Sequence, residues 1–416
     1  MKKFCTLLIL FCLIPACASA QWYLFPGKKK QNNPKTAVRD TVPVRIRPDS
    51  TALPPVFDSI STGLADSLQT VPGIVEDVFV LDIPEVVHIG LALPLQASGT
   101  KASENFLDFY SGALLALRDL GATGLKADLQ VFDTADGKIA APASLYTAND
   151  VIIGPVTLQD IRQALPQCGP DTYLVSPLDP KAADLAADAH IVQSPTPWTA
   201  QMDELVRWVQ QDRLPGEELY VVRDTAVAAP GEQSVYLLSR LQESGIPFRS
   251  VSAANRIPYP EDGKVRVLIA SDRDNFITGT VRSLSIEGAR NNNVILYGTT
   301  RVRTNGTGQA DLHNTNAHLA SAYFIDYEDP AVERFILAYR SLFQNEPGSF
   351  AFQGYDTMHY YVSMCTRFGR QWYKKLPDYR EKGLQSDFLF TEAQPRVNQA
   401  VRRVVYRPDL TTVLEK

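Results

Sequence analysis

The sequence predicts an α/β protein of two doubly wound lobes with parallel sheets, preceded by an export signal and a polar tether. Three observations predict it. From Val86 onward, short apolar runs alternate with helix-length amphipathic segments. The alternation is interrupted at Ser194-Pro-Thr-Pro197, whose two prolines break any continuous element, and then resumes. The chain ahead of Val86 carries no sustained periodicity. Strands alternating with helices imply right-handed βαβ crossovers and therefore parallel sheets. A chain of 416 residues has material for more than one core.

The first unit reads as a strand at Val86–Pro94, a helix at Glu104–Leu120, strands at Ala127–Phe132 and Val151–Gly154, a helix at Thr157–Leu165 and a strand at Thr172–Ser176. Phe106, Leu107, Tyr110, Leu114, Leu117 and Leu120 recur at helical spacing, with Ala113 and Ala116 allowing close packing. The second unit reads as a helix at Trp198–Gln211, a strand at Leu219–Val222, a helix at Gln233–Ser244, a strand at Val265–Ala270, a helix at Asp274–Glu287 and a strand at Val294–Leu296. Thr304–Gly308 and the polar run after it read as a loop, and His318–Ile325 as a further strand. Pro330–Leu342 and Phe350–Phe368 read as helices, the first with Pro330 at its start. Gly383–Phe390 and Gln399–Tyr406 read as a strand pair completing the body, its basic edge protected by Arg396, Arg402, Arg403 and Arg407.

Residues 1–20 have the layout of a secretory signal: Lys2-Lys3, an apolar stretch from Phe4 to Ile14 too short to span a membrane, and small residues ending Ala18-Ser19-Ala20. The expected location is the periplasm or cell envelope, with the mature chain starting at Gln21. Ile14-Pro15-Ala16-Cys17 partly matches a lipobox, so lipidation at Cys17 is the alternative processing route. Residues 21–85 read as a disordered tether rich in Pro, Ser and Lys. Its basic arm Lys28–Arg47 holds seven Lys or Arg against one acid, and residues 48–85 hold seven acids and no base. The arm is a candidate for contact with an anionic membrane or cell-wall surface. Ile74–Ile83 is apolar enough to add as an edge strand.

A net charge of −5 gives no reason to expect nucleic acid as a partner. No Gly-x-Ser-x-Gly elbow, Walker loop, His-Glu-x-x-His pair or spaced Cys cluster is present, so the expectation is a non-enzymatic protein without cofactor or metal. Of the five cysteines, only Cys168 and Cys365 lie beyond the signal; they read as separate buried thiols, with one disulfide between them as the alternative in an oxidising compartment.

Five motifs, in order, resemble a known family. His88-Ile-Gly-Leu-Ala-Leu-Pro-Leu95 with Tyr110-Ser-Gly-Ala-Leu-Leu-Ala-Leu117 resembles the opening of type I solute-binding proteins for branched amino acids. Val151-Ile-Ile-Gly-Pro-Val156 is similar to their Gly-Pro loop, Leu174-Val-Ser-Pro177 to their next strand end, and Phe352-Gln-Gly-Tyr-Asp356 to their late helix. The arrangement also resembles the envelope branch that contains the lipoprotein activator of penicillin-binding proteins. The signal and the tether beginning Tyr23-Leu-Phe-Pro-Gly-Lys-Lys-Lys30 are similar to those of Bacteroidetes-type proteins.

The resemblance implies two Rossmann-like lobes joined by a multi-strand hinge, as in type I periplasmic-binding proteins. Residues 86–195 and about 326–416 would form lobe 1, and 196–325 lobe 2. Ligand would sit between the lobes at the loops following Pro94, Gly154, Ser176, Val222, Ala270 and Leu296. The candidates there are Gln96, Thr157, Ser176, Asp179, Asp224, Asp272, Arg273 and Tyr297. Thr157 and Ser176 can donate hydroxyls, Arg273 can fork onto a carboxylate, and Tyr297 and Trp198 can stack on a ligand or pack the hinge. Asp179 either caps the turn entered at Pro180 or meets a ligand amine. Leu158 and Pro180 stand where such proteins place ligand-binding hydroxyls, which argues against a plain branched-amino-acid receptor. Two functions follow. One is a receptor for a small polar ligand, an amino acid derivative or cell-wall fragment. The other is a docking protein regulating peptidoglycan synthesis through a protein partner, with a degenerate cleft.

Overall fold

The computed structural model describes residues 81–99, 101–135, 144–185, 190–214, 216–260 and 263–415. The signal, Cys17, the basic arm Lys28–Arg47 and nearly all of the expected strand at 74–83 lie outside these residues.

The first lobe opens with β1 (Val87–Leu93), α1 (Glu104–Ala122), β2 (Ala127–Asp133), α2 (Ser144–Thr147), β3 (Val151–Ile153), α3 (Leu158–Ala164), β4 (Leu174–Ser176) and β5 (Ile191–Gln193). The second comprises α4 (Trp198–Asp212), β6 (Leu219–Arg223), α5 (Glu232–Glu243), β7 (Arg249–Val251), β8 (Val265–Ala270), α6 (Asp274–Asn291), β9 (Val294–Thr299), α7 (Gln309–Asn314) and β10 (His318–Ser321). The chain then returns to the first lobe with α8 (Pro330–Phe343), α9 (Ser349–Phe368) and the short strands β11 (Glu381–Lys382), β12 (Asp387–Phe388) and β13 (Arg396–Val397). It ends with β14 (Arg402–Tyr406) and β15 (Thr412–Glu415).

The first sheet runs β13-β5-β4-β3-β1-β2, parallel throughout. The second runs β15-β14-β10-β9-β8-β6-β7, parallel from β7 to β10 and antiparallel at β14 and β15. Both are α/β sheets wound outward in both directions from their first strand, as the alternation predicts.

Both faces of each sheet are covered, so the strands read as continuous apolar runs rather than alternating ones. Ile89, Leu91 and Leu93 pack toward α1 and α9, whereas Ala92, Ile152 and Leu174 face the opposite layer with Tyr146. Helices α1 and α9 approach closely because Gly112 and Gly354 lie in their contact. A Cβ on Gly112 would stand 1.8 Å from the Ala351 carbonyl oxygen, and one on Gly354 2.0 Å from that of Phe109.

The tail differs from the sequence expectation. Residues 383–390 and 399–406 share one backbone bond, Gln399 N–H to Leu389 O, but no ladder. Instead β13 extends the first sheet, while β14 and β15 extend the second, so residues 402–415 belong with lobe 2 rather than lobe 1. The apolar residues Val404, Val405 and Tyr406 find buried positions beside β10, which a pairing with the polar 383–387 turn would not supply. The polar run after Gly308, expected as loop, forms α7.

Three crossings join the lobes: 194–197, 322–329 and 398–401. Each leaves the carboxyl end of a strand and enters an element that starts at the carboxyl edge of the other sheet: α4 and α8 because helices of βαβ units run opposite to their strands, and β14 because it pairs antiparallel to β10. The two carboxyl edges are thereby turned toward each other. Side-chain hydrogen bonds fasten the crossings. Thr196 Oγ1 donates to Ala400 O (2.7 Å), and Asn398 Nδ2 to Ser194 O (3.0 Å). Buried Arg402 donates to Phe324 O (2.5 Å), Gly383 O (2.6 Å), Leu384 O (3.2 Å) and the Asp387 carboxylate (2.6 Å). The turn that Arg402 holds is seated from below by Asp356, whose carboxylate accepts the N–H groups of Leu384, Gln385 and Ser386.

Candidate functional site

In an open α/β sheet, the crevice for a ligand lies outside the carboxyl ends of the strands where the winding reverses. Those points are β1 against β3 in the first lobe and β6 against β8 in the second.

On the first edge, Asp133 at the end of β2 accepts the N–H groups of Gln96 (3.1 Å) and Ala97 (2.7 Å), fixing the loop after β1. Gln96 takes a left-handed φ of 56° there and keeps its side chain exposed. Gly154 carries the chain out of β3 at φ 97°, and a Cβ would stand 2.1 Å from Ala92 O. Thr157 then caps α3, its Oγ1 accepting the N–H of Asp160 (3.2 Å). Asp179 accepts the N–H of Lys181 (2.9 Å), a turn cap, and burial raises its carboxyl above the usual range.

Ser176, at the end of β4, is buried, and its Oγ has no hydrogen-bond partner. Thr134, immediately after β2, is likewise buried with an unpartnered Oγ1.

The second edge holds Asp224, Ser271, Asp272, Arg273 and Arg301. The Arg273 guanidinium does fork onto a carboxylate, but that of Asp224, with Nε to Oδ2 and Nη2 to Oδ1 both at 2.7 Å. Ser271 Oγ adds a third donor at 3.0 Å. Hydrogen bonding by Arg273 holds Asp224 below its usual pKa, against the opposing effect of burial. This pair bridges the winding reversal. Asp272 is turned away from any ligand role by α5: it accepts Gln233 N–H (3.1 Å), Ser234 N–H (3.0 Å) and Ser234 Oγ (2.5 Å), capping that helix across the sequence.

Tyr297 requires a correction. It lies within β9 rather than beyond it, is fully buried, and has no surface to offer a ligand. Its hydroxyl accepts from Arg266 (2.5 Å) and donates to Asp212 (2.8 Å), while its ring meets Trp208 edge-on. Burial drives its phenol pKa far upward. Trp198 packs edge-to-face on Tyr236 at 5.1 Å at the start of α4.

Sequence reasoning missed Arg301. Its Nη2 donates to Asp272 O (2.7 Å) and Asp274 Oδ1 (3.1 Å), but its buried Nε has no partner. It lines a small cavity of about 30 Å³ with Ser271, Gln233 and Thr299, room for one water. The sequence signal for it is strand length: β9 runs on to Thr299, which places Arg301 in the turn just beyond the strand end.

A larger cavity of about 550 Å³ lies at the amino edge of the first sheet, lined by Asp82, His88, Asp150, Asp171, Arg370 and Trp372 among others. Neither cavity takes lining residues from both lobes. Among the described residues no group of three or more His, Cys, Asp or Glu is arranged to hold a metal ion, and Cys168 and Cys365 are free thiols.

No protein-family model and no curated protein sequence matches the chain. Solved structures do. One from Rhodospirillum rubrum, described as a branched-chain amino acid ABC transporter, superposes over 79% of this chain and 100% of its own, with a TM-score of 0.55 at 16% identity. The chain has the type I periplasmic-binding-protein fold. An ABC transporter substrate-binding protein from Desulfitobacterium hafniense covers the same shares, with a TM-score of 0.47 at 15% identity. So does the LpoA C-domain of Haemophilus influenzae, a regulator of PBP1A, with a TM-score of 0.49 at 13% identity. In a type I fold, the facing carboxyl edges described above are the walls of the inter-lobe cleft. Among the described residues no helix is long and apolar enough to cross a membrane.

Proposed function

We propose that the chain is a non-enzymatic envelope protein that binds a small polar ligand, an amino acid derivative or cell-wall fragment, between its two lobes. The observation that carries this reading is the set of unpartnered buried polar atoms at the strand ends: Ser176 Oγ and Thr134 Oγ1 in one lobe and Arg301 Nε in the other. A buried donor left unpaired costs about 1–3 kcal/mol. All three stand at strand ends on the two facing edges, where lobe closure around a ligand would supply the missing partners. Closure follows from differential affinity for the closed state and needs no covalent chemistry.

A second reading has its own support. Asp224, Arg273 and Asp272 already satisfy one another or a helix end, which leaves the second wall poor in groups for a solute. That favours a docking protein whose cleft has lost its solute, consistent with Leu158 and Pro180 in the first wall.

A thermal-shift screen with amino acids and muropeptides, beside pull-down from envelope extracts, separates the two. The receptor reading expects stabilisation by a small ligand that Ser176→Ala and Arg301→Gln each weaken. No stabilising ligand together with one reproducibly recovered envelope protein would leave only docking.

A further inference from the structure

The two open hydroxyls of the first wall differ in what their strand ends are tied to. After β2, the Thr134 N–H donates to Leu93 O (2.9 Å), and Asp133 accepts the N–H groups of Gln96, Ala97 and Ala135, none of them a crossing residue. After β4 the pattern changes. Ser176 O accepts the N–H of Ser194, the first residue of the first crossing (3.0 Å). Gln193, the last residue of β5, adds a clamp. Its Nε2 donates to Pro180 O (2.9 Å) and Pro195 O (3.0 Å), and its Oε1 accepts the Ala183 N–H (2.9 Å). A buried side chain thus stitches the loop after Ser176 to the first crossing, with both donors and the acceptor of its amide in use.

Gln353, half-buried on α9, makes a second connection. Its Nε2 donates to Pro177 O (3.2 Å), and its Oε1 accepts from Gln385 Nε2 (3.3 Å). Gln385 in turn accepts the Phe324 N–H of the second crossing on its backbone oxygen (2.9 Å), while its own N–H is held by Asp356 (2.8 Å). The direction of this chain of bonds is fixed at its first member. Pro177 O can only accept, so Gln353 presents nitrogen to it and oxygen to Gln385. Gln385 is buried and is left with an unpartnered Oε1. An apolar side chain would fill such space without a desolvation cost, so amides at these positions specify where the main chain sits rather than how much volume is filled. The bonds of Gln353 are longer than those of Gln193, which makes the second connection the slacker of the two.

We propose that Gln193, Gln353 and Gln385 are positioning residues that transmit ligand contact at Ser176 to the first and second crossings, so that this strand end governs lobe closure while the Thr134 end adds contact alone. The role of the ligand rests on the receptor reading above. The connection itself belongs to the free protein and is tested there.

Hydrogen exchange of the chain from Gln21 onward, without ligand, read on peptides covering 192–197 and 322–326, tests it as a double-mutant cycle. Pro180→Gly loosens the exposed turn after Ser176, and Ala135→Gly does the same after Thr134. Pro180→Gly raises exchange in both peptides by about two- to fivefold, and Ala135→Gly leaves both at the wild-type rate. Gln353→Met, which keeps the length of the side chain and removes its hydrogen bonds, cancels the rise at 322–326 and retains that at 192–197. A merely structural Gln353 would instead raise exchange at 322–326 by itself and leave the increment from Pro180→Gly undiminished. That additivity, an equal response to Ala135→Gly, or no response to Pro180→Gly would each overturn the proposal. Gln353→Ala repeats the cycle if Gln353→Met does not unfold cooperatively. No ligand enters the measurement, so an empty thermal-shift screen sinks the receptor reading without touching the connection, and additive exchange sinks the connection without touching the receptor reading.

Discussion

The two walls of the cleft solve the same topological problem with opposite chemistry. In lobe 1 two strand ends carry small neutral side chains, Ser176 and Thr134, buried with unpartnered hydroxyls, beside Asp133, which fixes the loop after β1. In lobe 2 they carry charged side chains that are already paired: Asp224 with Arg273, and Asp272 with the start of α5. A buried charge must find a partner in the folded chain, whereas an orphaned hydroxyl costs little enough to persist. On the proposed receptor reading the first wall offers the open hydroxyls, and the second offers Arg301 Nε.

The largest expected effect breaks the frame that holds the walls opposite each other. Arg402→Met removes a buried side chain and strips partners from the half-buried carbonyls of Phe324, Gly383 and Leu384 and from Asp387, and should lower stability by about 3–5 kcal/mol, read from urea unfolding midpoints. A loss no larger than that of a surface arginine would mean that the crossings do not depend on this side chain.

Gly154→Ala attacks the first wall alone. With φ at 97° and Ala92 O 2.1 Å from the new Cβ, a cost of about 2–3 kcal/mol is expected. Wild-type stability in this variant would show that the loop after β3 can relax away from β1.

Deleting one oxygen from each lobe separates a satisfied hydroxyl from an open one. Tyr297→Phe leaves Arg266 and Asp212 each short of a partner and should cost about 1–3 kcal/mol. Ser176→Ala removes an atom that bonds to nothing, so its stability should match wild type or exceed it slightly. Equal losses from the two would contradict the reading of the Tyr297 hydroxyl as satisfied and that of Ser176 as open.

The smallest effects are in pH dependence, and they have opposite signs in the two lobes. His359, in lobe 1, is disfavoured as a cation by burial, but its bond to Glu381 (2.6 Å) and the nearby acids prevail and raise its pKa. Its contribution is fully present below the ordinary histidine value of about 6.5 and is lost as pH rises through the higher folded value. His318, in lobe 2 between Trp208 and Tyr297, is lowered chiefly by burial. Its contribution is present above about 6.5 and is lost as pH falls, because the unfolded chain takes the proton first. His359→Gln should flatten the loss on the alkaline side and His318→Gln that on the acid side, each by less than about 1.4 kcal/mol per pH unit. Measuring stability from pH 5 to 8 checks both, and the same sign in both lobes would be inconsistent with these environments.

Periodicity made most elements legible. The Phe106-to-Leu120 stripe gave α1, and the apolar run Val265–Ala270 coincides with β8. Three-residue pieces such as Ile191–Gln193 and Arg249–Val251 were not foreseen, because so short a run has no period to detect. The tail was misassigned for another reason: β14 pairs with β10, far away in sequence, and no local pattern encodes that partner. Site residues followed the same divide. Loops after strands were located, but the partner of each side chain was not. Asp272 reaches Gln233 across the chain, and Arg273 finds Asp224, through contacts created only by the sheet order. Tyr297 departs from the expectation because Tyr-Gly-Thr has no apolar run to mark it as strand, whereas the pairing of β9 with β10 carries the strand on to Thr299.

The central claim is that a ligand is gripped between these two unlike walls. Hydrogen exchange followed by mass spectrometry, with and without the best stabiliser from the thermal-shift screen, tests it most directly. The account predicts new protection at both 154–157 with 174–179 and 299–304. Protection confined to one lobe's outer surface, or none at either wall despite saturating binding, would contradict it.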